Sequence, residues 1–151
     1  CIDKTAVIGE KIEISNYALV SSEGVAAYNH GANRIGVLVA LNSVEESALE
    51  AGRSLAMQIA AMNPIAVDAD AVSEEVKAKE LKIGREIAEQ EGKPEAMLDK
   101  IANGKLQRYF KDNTLMAQAY VKDSSMNVAA FLKTVDPDLK VKSFTRFQLG
   151  A

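Results

Sequence analysis

Hydrophobic and polar positions repeat with two different periods along this chain, and the switches between them mark out the predicted elements. From Lys11 the period is two. Ile12 and Ile14 alternate with Glu13 and Ser15, and Tyr17 and Leu19 continue the run. That pattern predicts a strand over Lys11–Val20 with one face wet and one buried. Ser21-Ser22-Glu23-Gly24 is turn material. A second strand follows over Val25–His30, with Ala26, Tyr28 and His30 on one face and Val25, Ala27 and Asn29 on the other. Gly31 and Asn33 both tolerate positive φ, which predicts a hairpin turn before the chain returns over Arg34–Leu41. In that return Ile35, Val37, Val39 and Leu41 share a face, and Leu38 and Ala40 make the other face apolar too, as in a central strand. Gly36 interrupts the second face and marks a place where another backbone can come close.

Elsewhere the period lengthens to that of a helix. Cys1–Glu10 reads as the end of a helix closed by Gly9. Ser43-Val44-Glu45-Glu46 matches the capping box, and Ala48, Leu55, Ala56, Ile59 and Met62 follow at helical spacing until Asn63-Pro64 stops the run. Pro64–Val72 is a linker. Ser73 then opens a charged helix whose thin apolar stripe is Val76, Ile83 and Ile87. Gly92-Lys93-Pro94 breaks it, and Pro94 suits the first turn of a second helix with a stripe of Met97, Leu98, Ile101, Leu106, Tyr109 and Phe110. Two charged helices joined by a three-residue breaker predict an antiparallel hairpin over about residues 73–113 that projects from the body. Leu115–Val121 is apolar and open to an extended reading. Ser125 is the expected cap of a short helix carrying Val128, Ala129, Phe131 and Leu132, which ends at Asp136-Pro137. The last strand is Val141–Leu149, where the three-residue spacing of Phe144 and Phe147 predicts a bulge. It resembles Lys11–Val20 in placement and character, a hint of internal duplication. The elements together define an α+β chain.

Composition narrows the function classes. The 151 residues are 48% hydrophobic and 26% charged, enough for one domain with its own core. Eighteen basic against 21 acidic residues leave a net charge of −3, and the hairpin carries nine acids against nine bases. That balance gives no electrostatic reason to expect nucleic acid or an anionic membrane as partner. Cys1 is the single cysteine, so no internal disulfide forms and a reducing compartment is expected. No apolar run is long enough to span a membrane, and a soluble cytoplasmic chain is expected. Residue 1 is Cys rather than Met, which implies a fragment or a processed chain.

The chain holds no Gly-rich phosphate loop, no Cys/His metal set and no nucleophile elbow. A catalytic pair would have to use His30, the single histidine, and no acid sits in an apolar setting that would raise its pKa. His30 is therefore open to three readings: a turn residue, a partner contact, or a base working with nearby carboxylates. The residues point to an interaction module without catalytic, cofactor-binding or metal-binding residues.

Several motifs carry a specific resemblance. Ile8-Gly9-Glu10-Lys11-Ile12-Glu13-Ile14, Tyr28-Asn29-His30-Gly31 and Arg34-Ile35-Gly36-Val37-Leu38-Val39 resemble bacterial elongation factor Ts in order and spacing. So do Gly92-Lys93-Pro94-Glu95 and Phe144-Thr145-Arg146-Phe147, and the likeness spans essentially the whole chain. Asn29, where Gln is commoner, and an extra residue in the Ala32-Asn33 turn are the departures. The resemblance implies a guanine nucleotide exchange factor for elongation factor Tu, in its GDP-bound and nucleotide-free forms. It implies a two-layer fold in which two strands, helices and a third strand build a three-stranded antiparallel sheet, with a helical hairpin projecting. Residues 1–23 would end the N-terminal core subdomain, and residues 24–151 would be the C-terminal, dimerisation subdomain. Tyr28, Asn29, His30, Gly31 and Arg34 would touch elongation factor Tu. Val76, Ile83, Ile87, Leu98 and Ile101 would be the hairpin's contacts, with elongation factor Tu or with a second copy in a homodimer. The family's Thr-Asp-Phe-Val motif, whose Asp and Phe disturb the partner's nucleotide site, is absent from these residues. Binding without the exchange wedge is the expectation. The alternative is a structural dimerisation module with no exchange role.

Overall fold

In the computed structural model, which describes residues 1–150, the centre is a three-stranded antiparallel sheet. Strand β1 (Gly24–His30) pairs with β2 (Ile35–Leu41), and β2 pairs on its other side with β5 (Val141–Gln148). The β1–β2 turn is left-handed at three successive residues, Gly31 (φ 60°), Ala32 (φ 54°) and Asn33 (φ 66°). Glycine and asparagine adopt that region readily, and Ala32 is carried along between them. The Arg34 N–H donates to the Gly31 carbonyl at 3.2 Å and closes the turn. A bulge does occur in the last strand, but ahead of Phe144. Ala40 faces Ser143 while Leu41 faces Val141, so Lys142 is the extra residue. Phe144 then lies beside Val39 on the core face and Phe147 beside Gly36 on the other.

Helix α2 (Glu46–Met62) covers the core face, with Leu55, Ala56 and Ile59 fully buried against Val39 and Leu41. Its close approach depends on Gly52: a Cβ there would lie 2.7 Å from the Ala26 Cβ and from Leu41 Cδ1. The capping box at Ser43 does not form. Glu45 is the N-cap without a side-chain bond, and Ser43 Oγ accepts from the Glu45 N–H at 3.2 Å instead. The reason lies one residue earlier. Asn42 is tied to the β5 approach through Lys140 and Asp138, and the Ser43 carbonyl lies where a Cβ on Gly24 would be. These contacts hold 42 and 43 in the connection out of β2, and the helix starts later, at Glu46. At its far end Asn63, left-handed at φ 46°, closes α2 before Pro64 as the sequence predicts.

Helices α3 (Glu74–Gln90) and α4 (Glu95–Asn113) form the expected antiparallel hairpin. Ser73 caps α3, its Oγ accepting from the Val76 N–H at 3.3 Å. Gly92 (φ 70°) makes the turn, and Pro94 is the N-cap of α4 rather than its first residue. A seam of small and medium side chains, Gly84, Ala88, Leu98, Ala102 and Leu106, is buried between the two helices. At the hairpin base the Ile65 N–H donates to the Asn113 carbonyl, and Ala66 bridges Thr114. There the amide of Gln58, fully buried in α2, donates to the Ala119 carbonyl at 3.0 Å and accepts from the Val121 N–H at 2.8 Å.

The remaining elements are short. Strands β3 (Ala119–Tyr120) and β4 (Asp123–Asn127) make a small second sheet, and α5 (Val128–Val135) packs on α2 beside it. The cap of α5 is Asn127, whose Oδ1 accepts from the Ala130 N–H at 2.8 Å. Ser125 does not cap it, because Ser125 lies in β4 with its N–H and hydroxyl both bonded to Asp123. At the start, α1 (Ile2–Ile8) ends on left-handed Gly9 as the sequence predicts. The predicted strand over Lys11–Val20 does not form. A strand's N–H and C=O groups need a neighbour, and none lies alongside; Ile14, Tyr17 and Leu19 stand 73%, 81% and 81% exposed. Around Tyr17 the segment passes over the open sheet face, enclosing a hollow of about 300 Å³ with Ala27, Leu38 and Phe147.

Candidate functional site

The distal end of the sheet gathers the residues the sequence singles out. Strand alternation puts Tyr28 and His30 on the core face of β1, beyond the reach of the deep core. Tyr28 is half-buried and packs against the core cluster, and His30 is exposed. Their side chains are bonded to each other, Tyr28 Oη to His30 Nδ1 at 3.0 Å, with ring centroids 5.9 Å apart. Asn29 points to the opposite face next to Gly36, while Gly31 and Arg34 form the turn. The five predicted contacts therefore split: Tyr28 and His30 share a face, Gly31 and Arg34 lie at its rim, and Asn29 faces away.

The register adds residues that the sequence analysis does not single out as contacts. Tyr28 faces Val37, which faces Arg146; His30 faces Ile35, which faces Gln148. One row of side chains thus runs from a polar pair on β1, across half-buried Ile35 and core-buried Val37, to a polar pair on β5, where Arg146 Nη2 donates to Gln148 Oε1 at 2.8 Å. With neighbouring strands about 4.8 Å apart, the strip is about 10 Å wide. Arg146 Nε is buried with no hydrogen-bond partner among the described residues. The Leu149 N–H donates to the Arg34 carbonyl at 2.8 Å, which fixes the end of β5 to the turn. Arg146 and Gln148 could have been found by counting in twos from Phe144, once the extra residue is placed at Lys142.

The electrostatics of this end differ from those of the chain as a whole. Gly24–Ser43 and Ser143–Gly150 contain no Asp or Glu, yet they carry Arg34 and Arg146 beside His30. The opposite end holds an ion pair between Lys142 and Glu23, and the hydrogen bond from Lys142 holds the Glu23 carboxyl below its ordinary value. His30 has no carboxylate hydrogen-bonded to it to act as the third member of a catalytic set. Among the described residues no group of three or more His, Cys, Asp and Glu side chains could hold a metal, and no helix is long and apolar enough to cross a membrane.

On the hairpin, Ile83 and Ile87 are exposed one turn apart on α3, while Val76 and Ile101 are half-buried. Leu98 is a correction to the predicted contact set. At 1% exposure it fills the seam between α3 and α4 together with Leu106, opposite the small Gly84 and Ala88.

The fold and this strip define a two-layer α+β module with a projecting helical arm. The elongation factor TS family model matches residues 1–151. The elongation factor Ts of Christiangramia forsetii is 48% identical over 148 residues, covering 98% of this chain and 54% of that protein. Those of Flavobacterium psychrophilum and Chlorobium phaeobacteroides are 47% and 43% identical, again covering 54% of each protein and 99% and 97% of this chain. The chain belongs to the elongation factor Ts family, a family of translation elongation factors. It spans about half the length of the curated relatives it matches.

Proposed function

We propose that this chain is the part of an elongation factor Ts that holds elongation factor Tu, in its GDP-bound and nucleotide-free forms, and that it does so through the Tyr28–His30 end of the sheet. The observation that carries the reading is the distal sheet end itself: two side-chain pairs ordered by hydrogen bonds, Tyr28–His30 and Arg146–Gln148, at an end free of carboxylates in a chain of net negative charge. Arg34 and Gly31 rim it, while Asn29, the fifth expected contact, lies on the opposite face next to Gly36. Residues 24–151 act as the C-terminal core subdomain, with the hairpin at about 73–113. Residues 1–23 belong to the preceding subdomain; the unpaired, alternating Lys11–Leu19 run, with its apolar side chains exposed, supports that division. The balanced charge of the hairpin supports a protein partner rather than nucleic acid or membrane.

Exchange is a linkage effect: a factor weakens nucleotide affinity only as far as it binds the nucleotide-free partner better than the loaded one. These residues contain no Thr-Asp-Phe-Val wedge, so the chain binds without opening the nucleotide site. A pull-down against elongation factor Tu tests the contact: His30→Ala weakens capture, and undiminished capture would demote His30 to a turn residue. Stopped-flow GDP release tests the division of labour, and release by this chain at the rate of a complete factor would sink it. A second reading rests on the exposed Ile83 and Ile87 of α3: a dimerisation module whose hairpin binds a second copy, with no exchange role. Analytical ultracentrifugation separates the two, since self-association lost on Ile83→Ser/Ile87→Ser with elongation factor Tu binding absent would favour the second.

A further inference from the structure

We infer that Tyr28 is a positioning residue that fixes His30 as a hydrogen-bond donor through Nε2, so that the partner atom received at this tip is an acceptor, a carboxylate or a carbonyl oxygen. This rests on the reading of the tip as the docking site.

The geometry leaves two arrangements for the 3.0 Å contact. Either the Tyr28 hydroxyl donates to a bare Nδ1 and the ring proton sits on Nε2, or Nδ1–H donates to the hydroxyl oxygen and Nε2 is bare. The first is the stronger pairing, because a phenol is the better donor and a neutral imidazole nitrogen the better acceptor. A protonated ring keeps a proton on both nitrogens, so Nε2 donates in that state as well. The hydroxyl is a fixed reference point: the Tyr28 ring packs against the core and has two side-chain torsions, and strand alternation sets the two residues on one face two positions apart. With Nδ1 engaged by Tyr28, Nε2 is the ring nitrogen left for a partner, on a side chain that is exposed. Gly24–Ser43 and Ser143–Gly150 supply no carboxylate to accept from it within the sheet. Of the other polar side chains of the strip and turn, Arg34 and Arg146 are donors, Gln148 Oε1 already accepts from Arg146, and Asn33 makes no hydrogen bond with His30, which favours an acceptor arriving from a partner.

The single histidine makes the test direct. In the full chain, long-range proton–nitrogen NMR at a pH where the ring is neutral reads one imidazole without assignment. The expected spectrum shows a protonated Nε2 and a bare Nδ1, and Tyr28→Phe shifts both nitrogens toward the averaged values of an unrestrained ring. Tyr28→Phe keeps the packed ring, and its thermal unfolding is compared with the parent to confirm the fold. Binding to nucleotide-free elongation factor Tu weakens about three- to tenfold in Tyr28→Phe, the loss expected when one ordinary hydrogen bond no longer orients a contact. His30→Gln, which can place an N–H near Nε2, retains more affinity than His30→Asn. A proton on Nδ1, or a spectrum unchanged by Tyr28→Phe, overturns the inference. So does wild-type binding by Tyr28→Phe when His30→Ala is impaired, an outcome that leaves the docking reading standing. Undiminished binding by His30→Ala removes both.

Discussion

Gly52 and Gly104 are both helical glycines, and the same substitution at each should move stability in opposite directions. Alanine is the better helix former by about 1 kcal/mol. At Gly104 a Cβ meets nothing within 4 Å, so Gly104→Ala should gain most of that amount. At Gly52 the Cβ would sit 2.7 Å from Ala26 Cβ, which the sheet backbone holds in place, and from Leu41 Cδ1 in the core. Overpacking costs about 1–3 kcal/mol and outweighs the propensity gain. Urea unfolding of the two variants should give midpoints on either side of the parent's; shifts of one sign would contradict this account of α2 packing. Acid stability has a residue-level cause as well. Hydrogen bonds from Lys142 and from Ser125 hold the carboxyls of Glu23 and Asp123 below their ordinary 4.5 and 3.8. Each folded carboxylate therefore binds fewer protons than the unfolded one, so its contribution is present in full above those ordinary values and is lost as pH falls below them through the lowered folded-state values. Lys142→Met should flatten the Glu23 part of that acid limb without changing stability at neutral pH by the cost of a core substitution, which pH-resolved thermal melts would read. At the glycine flagged in the sequence as a close-approach site, Gly36, an added Cβ would lie 3.6 Å from Asn29 Oδ1, an ordinary contact. The tight sites are Gly24, Gly52 and Gly84, each set by an element distant in sequence, which period and spacing do not encode.

At the scale of elements, what the sequence made legible was whatever depends on local signals. The hairpin is the clearest case: Ser73, the Gly92-Lys93-Pro94 breaker and two apolar stripes act within a few residues of themselves, and α3 and α4 fall where those signals put them. Lys11–Val20 has as regular an alternation as β1, yet it is not a strand, because alternation describes a face and pairing needs a neighbour. Ser43 and Ser125 carry good cap chemistry, but Ser43 sits in the connection ahead of α2 with its hydroxyl accepting from the Glu45 N–H, and Ser125 is held extended in β4. Of the proposed docking site, the β1 half was legible from its turn and histidine, while the Arg146–Gln148 half depended on the position of one bulged residue. Within the hairpin, long-range chemistry concentrates on Arg85, which reaches Glu89 on its own helix and Glu95 and Asp99 on α4. These pairs span the half of the hairpin nearest the Gly92 turn, whereas the base is held by the Ala66–Thr114 bridge and the buried Gln58 amide. Arg85→Ala should therefore speed amide hydrogen exchange around residues 90–98 and leave residues 112–121 unchanged. Exposed ion pairs are screened by salt, so high salt should bring the parent toward the variant. Equal acceleration at both ends of the hairpin would mean that Arg85 does not act locally.

For the whole molecule, the question is whether the arm and the body are one cooperative unit. The core cluster runs through β2, α2, α5, Leu115, Tyr120 and Leu139, and includes no residue of α3 or α4. The hairpin closes its own seam, and its two ends leave the body side by side: the Leu115 and Met116 N–H groups donate to the carbonyls of Ala66 and Val67 at 3.0 and 2.9 Å. Keeping residues 112–118 retains the Asp112 carbonyl, which accepts from the buried Gln118 amide at 3.0 Å. Replacing residues 74–111 by a flexible Gly/Ser linker should therefore leave a body that unfolds in one cooperative transition. The denaturant slope should fall in proportion to the surface the hairpin no longer contributes, while the body's midpoint moves little. A broad, non-cooperative transition would show that the arm is part of the folding unit. The same variant divides the labour between the two candidate surfaces, because it removes Ile83 and Ile87 and leaves Tyr28 and His30 in place. If the sheet end is the main contact, the shortened chain keeps most of its affinity for elongation factor Tu and still loses it on His30→Ala. If binding disappears with the hairpin while the body remains folded, the arm carries the contact and the tip histidine is a passenger.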